Sequence, residues 1–299
     1  MPFPGFERRR IATDDGIEIH VLVGGRGPPL LMLHGHPQTH AMWHEVAAAL
    51  AARFTLVLAD LRGYGDSSKP RGEPGHANYS KRVMARDMLR AMQALGHPRF
   101  DVLAHDRGAR VAHRLALDHA GAVRRLVLLD IAPTLAMYEQ TNEEFARAYW
   151  HWFFLIQPAP LPERLILADP AAYVRDMLGR SGAGLAPFAP HALAEYARAL
   201  ALPGTAHGIC EDYRAAAGID LEHDRADRAA GRRLEAPLLV LWGALGVVHR
   251  CFRPLAEWQR VAADVRGEPL ACGHYIAEEA PDALLARALP FLAQAREPV

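Results

Sequence analysis

Short runs of almost unbroken apolar residues set the tightest limit on this chain: Leu30–Leu33, Phe54–Asp60, Phe100–Leu103, Leu126–Pro133 and Leu238–Gly243. Strands that are apolar at nearly every position are buried on both faces, as in a parallel sheet covered by helices. The segments between them carry a helical period. Gln38 to Ala52 would bring Trp43, Val46 and Leu50 to one face, and Tyr79 to Leu95 is closed by Gly96, with Pro98 beyond. Near the start, Arg10–Thr13 and Ile17–Val21 flank Asp15-Gly16, a hairpin turn signal. These features predict an α/β fold: a mostly parallel sheet flanked by helices.

The third run ends in Ala104-His105-Asp106-Arg107-Gly108-Ala109-Arg110. Small residues flank one acid in a strand–turn–helix pattern. This resembles the nucleophile elbow of α/β-hydrolases, with Asp where a serine usually stands. Gly108 allows the helix to pack on the strand, and the tight turn pushes the Asp106 side chain into a pocket. A carboxylate there suits attack on a saturated carbon, which leaves an ester on the enzyme. Arg107 and Arg110 lie three apart in the first helical turn, where basic groups oppose the helix dipole. An anion bound between them makes sense of the pair. The plainer reading is that one of them pairs with a surface acid.

His34-Gly35-His36-Pro37 follows the Leu30–Leu33 run. In α/β-hydrolases such a loop donates one backbone N–H to an oxyanion hole, here that of His36. The N–H of Arg107, after the nucleophile, would be the second. Leu61 to Ser68 is Gly-rich and reads as scaffold. Cys272-Gly273-His274-Tyr275 precedes a Pro-headed helix, Pro281 to Leu289, and occupies the chain position of a catalytic histidine: after nucleophile and acid. The acid usually follows the Leu-Trp-Gly strand, but Gly243-Ala244-Leu245-Gly246 has none. Asp130, at the end of the preceding strand, is the carboxylate placed to orient His274; Asp264 is the less favoured substitute.

Residues 134 to about 228 differ in character, being rich in Ala, Pro and aromatics and helical in pattern. They read as a cap inserted between two parts of a hydrolase core, 1–133 and 229–299. Thr141-Asn142-Glu143-Glu144 is a capping box opening a helix that would run to about Gln157. Phe145, Tyr149, Trp152 and Phe153 give it an aromatic face. His151 and Trp152 bring N–H donors into that apolar run, and Tyr213 could add an O–H. A buried donor left without an acceptor costs about 1–3 kcal/mol, so a bound halide would relieve it.

Formal net charge is zero over 299 residues, which argues against nucleic-acid or membrane-surface binding. Cys210, Cys251 and Cys272 match no metal spacing and read as reduced thiols. The first ten residues lack the apolar core of a signal peptide, and no run has the length of a membrane span. A cytoplasmic chain is the expectation.

Taken together these residues are similar to the haloacetate dehalogenases, the fluoroacetate branch of the α/β-hydrolases. The likeness rests on His34–Thr39, His105–Gly108 with Arg110, Leu129–Ile131, Tyr149–Trp152, His207–Arg214 and Cys272–Tyr275. It implies Asp106 as nucleophile, with Asp130 and His274 completing a triad. Arg107 and Arg110 would hold a substrate carboxylate, and His151, Trp152 and Tyr213 the leaving halide. It further implies a haloacetate substrate, no cofactor or metal, and a homodimer. Ala104 departs from the family's usual Gly, and Leu245 and His249 stand in the loop after Gly243. An epoxide hydrolase with the same Asp nucleophile is the alternative; it would use two cap tyrosines and have no need of an arginine pair. A binding protein on the same fold would be free to lose Asp106 or His274, and both are present.

Overall fold

The computed structural model describes residues 3–180 and 183–294. Its centre is an eight-stranded sheet of β1 (Glu7–Ala12), β2 (Glu18–Gly25), β3 (Pro29–Leu33), β4 (Thr55–Ala59), β5 (Phe100–His105), β6 (Val123–Leu129), β7 (Leu238–Gly243) and β8 (Val265–Leu270), in the order β1-β2-β4-β3-β5-β6-β7-β8. β2 runs antiparallel to β1 and β4, and every pair from β4 across to β8 is parallel. The hairpin between β1 and β2 closes through a single 3-10 turn, Asp14–Gly16. All six residues of β5 and of β7 are buried, Asp101 and His105 of β5 included.

Parallel strands put their carboxyl ends on one edge, and there the chain leaves β3 into His34, β5 into Asp106, β6 into Asp130 and β8 toward His274. Ligands bind at this edge in open α/β sheets. Asp264 precedes β8 and so lies at the opposite edge. Between β6 and β7, among the described residues, the chain forms eight helices from Thr134–Glu139 to Ile219–Ala229.

Two helices differ from expectation. The stretch Gln38–Ala52 is a 3-10 turn, His40–Trp43, and a separate short helix, Ala47–Ala51. Trp43, Val46 and Leu50 are nevertheless all buried, so two short turns satisfy the same apolar pattern. The aromatic helix begins at Glu143, not after Thr141. Its cap is Asn142, whose side chain accepts from the Phe145 N–H at 2.9 Å, while the Thr141 hydroxyl donates back to the Met137 carbonyl. It also breaks at Tyr149 (φ −110°, ψ 38°) before resuming as Trp150–Leu155. The break sends the Tyr149 hydroxyl toward His274 rather than along the helix face.

Candidate active site

Asp106 opens the helix Asp106–Asp118 with φ 43°, a left-handed backbone that a non-glycine residue holds only under constraint. The constraint is close packing. A Cβ on Gly108 would lie 2.5 Å from the His34 carbonyl oxygen and 2.6 Å from the Leu33 Cβ. The Gly108 N–H donates to that same carbonyl at 2.9 Å, so helix and β3 approach as only glycine allows. The His36 N–H donates to Asp106 Oδ2 at 3.1 Å. Burial pushes the Asp106 carboxyl up, but the positive charges of His274 and Arg107 outweigh it and bring it down to about 2. Asp106 is therefore an anion across the working pH range.

His274 Nδ1 lies 2.5 Å from Asp130 Oδ2. The other Asp130 oxygen accepts the Gly243 N–H at 2.8 Å, and the side chain is fully buried. The loop around His274 is clamped by Glu279, whose carboxylate accepts from the Gly273 N–H at 2.6 Å and the Tyr275 N–H at 2.9 Å. The His274 carbonyl accepts from His105 Nε2 at 2.9 Å. Burial pulls the His274 pKa down, yet the hydrogen bond and charge of Asp130 with the charge of Asp106 leave it raised. Asp106 and His274 share a cleft of about 400 Å³ with His36, Tyr149 and His151 on its wall.

The other predicted residues sit behind that wall. Arg107, fully buried, forks onto Asp212, with Nε to Oδ2 at 2.8 Å and Nη2 to Oδ1 at 3.0 Å. One arginine of the pair thus holds an acid of the chain, though a buried one and not a surface acid. Its Nη1 has no partner. Arg110 Nη1 donates to the Thr134 hydroxyl at 2.9 Å and the Ala132 carbonyl at 3.2 Å, and its Nε is likewise unpartnered. Each guanidinium lies against an aromatic face: Arg107 4.0 Å from the Tyr213 centroid, Arg110 4.7 Å from that of Trp152. The Tyr213 hydroxyl is buried without a partner. Its ring contacts those of His36, His151 and Trp152 at centroid distances of 5.5, 6.0 and 6.5 Å.

His151 Nδ1 lies 3.3 Å from both terminal nitrogens of Arg180. A guanidinium can only donate, so Nδ1 is the acceptor and the ring proton sits on Nε2. Burial and the Arg180 charge hold the ring well below its usual pKa, hence neutral. The result is one N–H donor of defined direction.

The roles of Asp212, Arg180, Tyr149 and Glu279 in the site escaped sequence reasoning. Asp212 stands beside Tyr213 in the chain, and its partners Lys81, Arg107 and Tyr64 come from three distant segments. Only the tertiary fold joins them. Removing it leaves the buried Arg107 guanidinium without its carboxylate, while Lys81 keeps Asp220 at 3.3 Å, so Asp212→Ala should destabilise by about 3–5 kcal/mol, read as a lower urea midpoint. A midpoint equal to that of the unaltered protein would contradict this account.

Among the described residues, His20, His40 and Asp60 form a buried cluster with the spacing of metal ligands. The Asp60 carboxylate already takes both imidazoles at 3.0 and 2.9 Å and the N–H groups of His40 and Asp66. Those four bonds saturate it, and the cluster ties β2 to the turn after β3 rather than to the Asp106 cleft.

Comparison with known proteins agrees with the geometry. The family model of the α/β-hydrolase fold matches residues 28–246. A fluoroacetate dehalogenase of Burkholderia sp. is 46% identical over 98% of this chain and 96% of its own. A soluble epoxide hydrolase of Corynebacterium sp. is 34% identical over 95% and 97%. A solved structure from Nostoc sp. PCC 7120, assigned to the α/β-hydrolases, superposes with a TM-score of 0.94 at 52% identity, covering 97% and 99%. With the elbow, the acid and the histidine at the same sheet edge, the chain belongs to the α/β-hydrolase fold family and, within it, to the group that contains the fluoroacetate dehalogenase.

Proposed function

We propose that this protein hydrolyses the carbon–halogen bond of a small 2-haloacid, a haloacetate such as fluoroacetate, to the 2-hydroxy acid (glycolate) and halide. The observation that carries this reading is the pair of buried guanidiniums beside an Asp nucleophile, each with an N–H that no protein acceptor takes. Two orphaned, positively charged donors fit a carboxylate. A neutral epoxide would leave them unused.

Asp106 displaces halide from the carbon next to the held carboxylate. The leaving anion meets the His151 Nε2–H, the Trp152 indole and the Tyr213 hydroxyl. His274, oriented by Asp130, then takes a proton from water, which adds to the Asp106 carbonyl. The backbone N–H groups of His36 and Arg107 hold the oxyanion, and 2-hydroxy acid leaves. The helices of 134–228 act as the cap that brings His151, Trp152 and Tyr213 over the core. We also infer a cytoplasmic homodimer; sedimentation at two concentrations measures its state.

The first test is halide release from fluoroacetate, chloroacetate and bromoacetate at equal concentration, with styrene oxide as control. Release of fluoride is the expected outcome. Chloride or bromide alone keeps the two steps and removes the halide roles of His151, Trp152 and Tyr213. Diol without halide overturns the proposal.

The pH profile has a definite sign. Only neutral His274 accepts a proton from water, so ester hydrolysis fails as pH falls through its pKa. Part of what raises that pKa is the Asp106 charge, which esterification removes. The acid limb of kcat should therefore lie below the His274 titration followed by NMR in the free enzyme. A limb at or above that titration would count against His274 as the base.

A further inference from the structure

Two phenols of the helical segment lie close to the Asp106–His274 pair, one on the cleft and one behind its wall against His36 and His151. Tyr149 lines the cleft, its hydroxyl 3.4 Å from His274 Nδ1. Tyr213 is fully buried with its hydroxyl unpartnered, and the charge of Asp106 acts on both rings. A halide leaves without needing a proton and asks only for hydrogen bonds. A phenol beside the leaving position can do more: it can hand a proton to a departing oxygen.

The cleft also has room beyond a two-carbon acid. The cleft measures about 400 Å³. Ala148, Met177 and Val247 give its lining apolar surface.

We infer that the same site opens a 2,3-epoxy carboxylate, with glycidate as the simplest case, the arginine pair holding the carboxylate and Tyr213 protonating the ring oxygen. The inference rests on the carboxylate and nucleophile roles proposed above and adds a substrate class to them. The combination is what matters: the arginines select an acid, and the phenol accepts an oxygen leaving group where the halide would otherwise sit.

The chemistry balances. Asp106 attacks C2 as the C2–O bond breaks, and the electron pair goes to the ring oxygen, which takes the Tyr213 proton and becomes the 3-hydroxyl. Water then loses one proton to His274 and adds to the Asp106 carbonyl. Collapse frees the 2-oxygen, which takes the proton from His274, while the second water proton restores the phenol. The sum is glycidate plus water to glycerate.

The test compares glycidate, chloroacetate and styrene oxide on the unaltered protein and on Tyr213→Phe, which keeps the ring under Arg107. Glycerate from glycidate, no diol from styrene oxide, and a loss of about 100-fold on glycidate in Tyr213→Phe are expected, since general acid catalysis contributes at least that factor. Chloride release from chloroacetate should fall far less in the same variant. Chloride release with glycidate left intact overturns the inference and spares the dehalogenase reading. Glycerate without any halide release overturns the dehalogenase reading and keeps the inference. An equal fall on both substrates overturns the proton role of Tyr213. Inertness toward both overturns the two together.

Discussion

Asp106→Ala should release no halide above background from any haloacetate. Every step of the scheme passes through that carboxylate, and no neighbouring acid can replace it. Asp130 is fully buried and committed to His274 and the Gly243 N–H, and Asp212 is forked onto Arg107. Loss of the nucleophile from a nucleophile–base unit costs on the order of 10⁶ in kcat. The fold should survive, because the Gly108–His34 contact still holds the elbow when the His36 N–H bond to the Asp106 carboxylate is lost. Alanine at φ 43° adds strain of about 1 kcal/mol. Halide assays paired with an unfolding curve separate the two effects. Residual turnover at a tenth of the original rate, in folded protein, would place the nucleophile elsewhere.

His274→Ala should behave differently. The first step needs an ionised Asp106 and a held substrate, and Asp106 stays ionised without its base because Arg107, His105 and Arg110 also lower its pKa. One equivalent of halide per site should therefore appear and then stop. Intact-protein mass spectrometry should find the mass of one carboxymethyl group, and peptide mapping should place it on the peptide carrying Asp106. Glu279 and Asp130 keep their backbone partners at Gly273, Tyr275 and Gly243, so the loop has no reason to collapse. Folded protein with neither burst nor adduct would overturn the two-step scheme.

Several features were legible because local rules are strong where they apply. Continuous apolar runs specify doubly buried strands, and the strand–turn–helix at Ala104–Arg110 specifies an elbow side chain turned into a pocket. The absence of an acid after Trp242-Gly243 directs attention to Asp130, and the structure places that carboxylate against His274. The break at Tyr149 was not legible. Its capping residues and aromatic period both favour one long helix, whereas the structure breaks it at Tyr149, whose hydroxyl reaches His274.

The arginine pair illustrates the same limit. Two cations in the first turn of a helix announce that a negative partner exists, since the dipole disfavours them otherwise. They do not say which one. For Arg107 the partner is Asp212, more than one hundred residues away, and Arg180 sets the protonation of His151 from another segment again. The amino-acid sequence by itself determined the sheet, the elbow and the kinds of group near it, because periodicity and turn chemistry act over a few residues. Which donors are already satisfied and which remain open was decided only by the tertiary structure. Hydrogen bonds are short and directional, and the chain brings their partners together only when the core has closed.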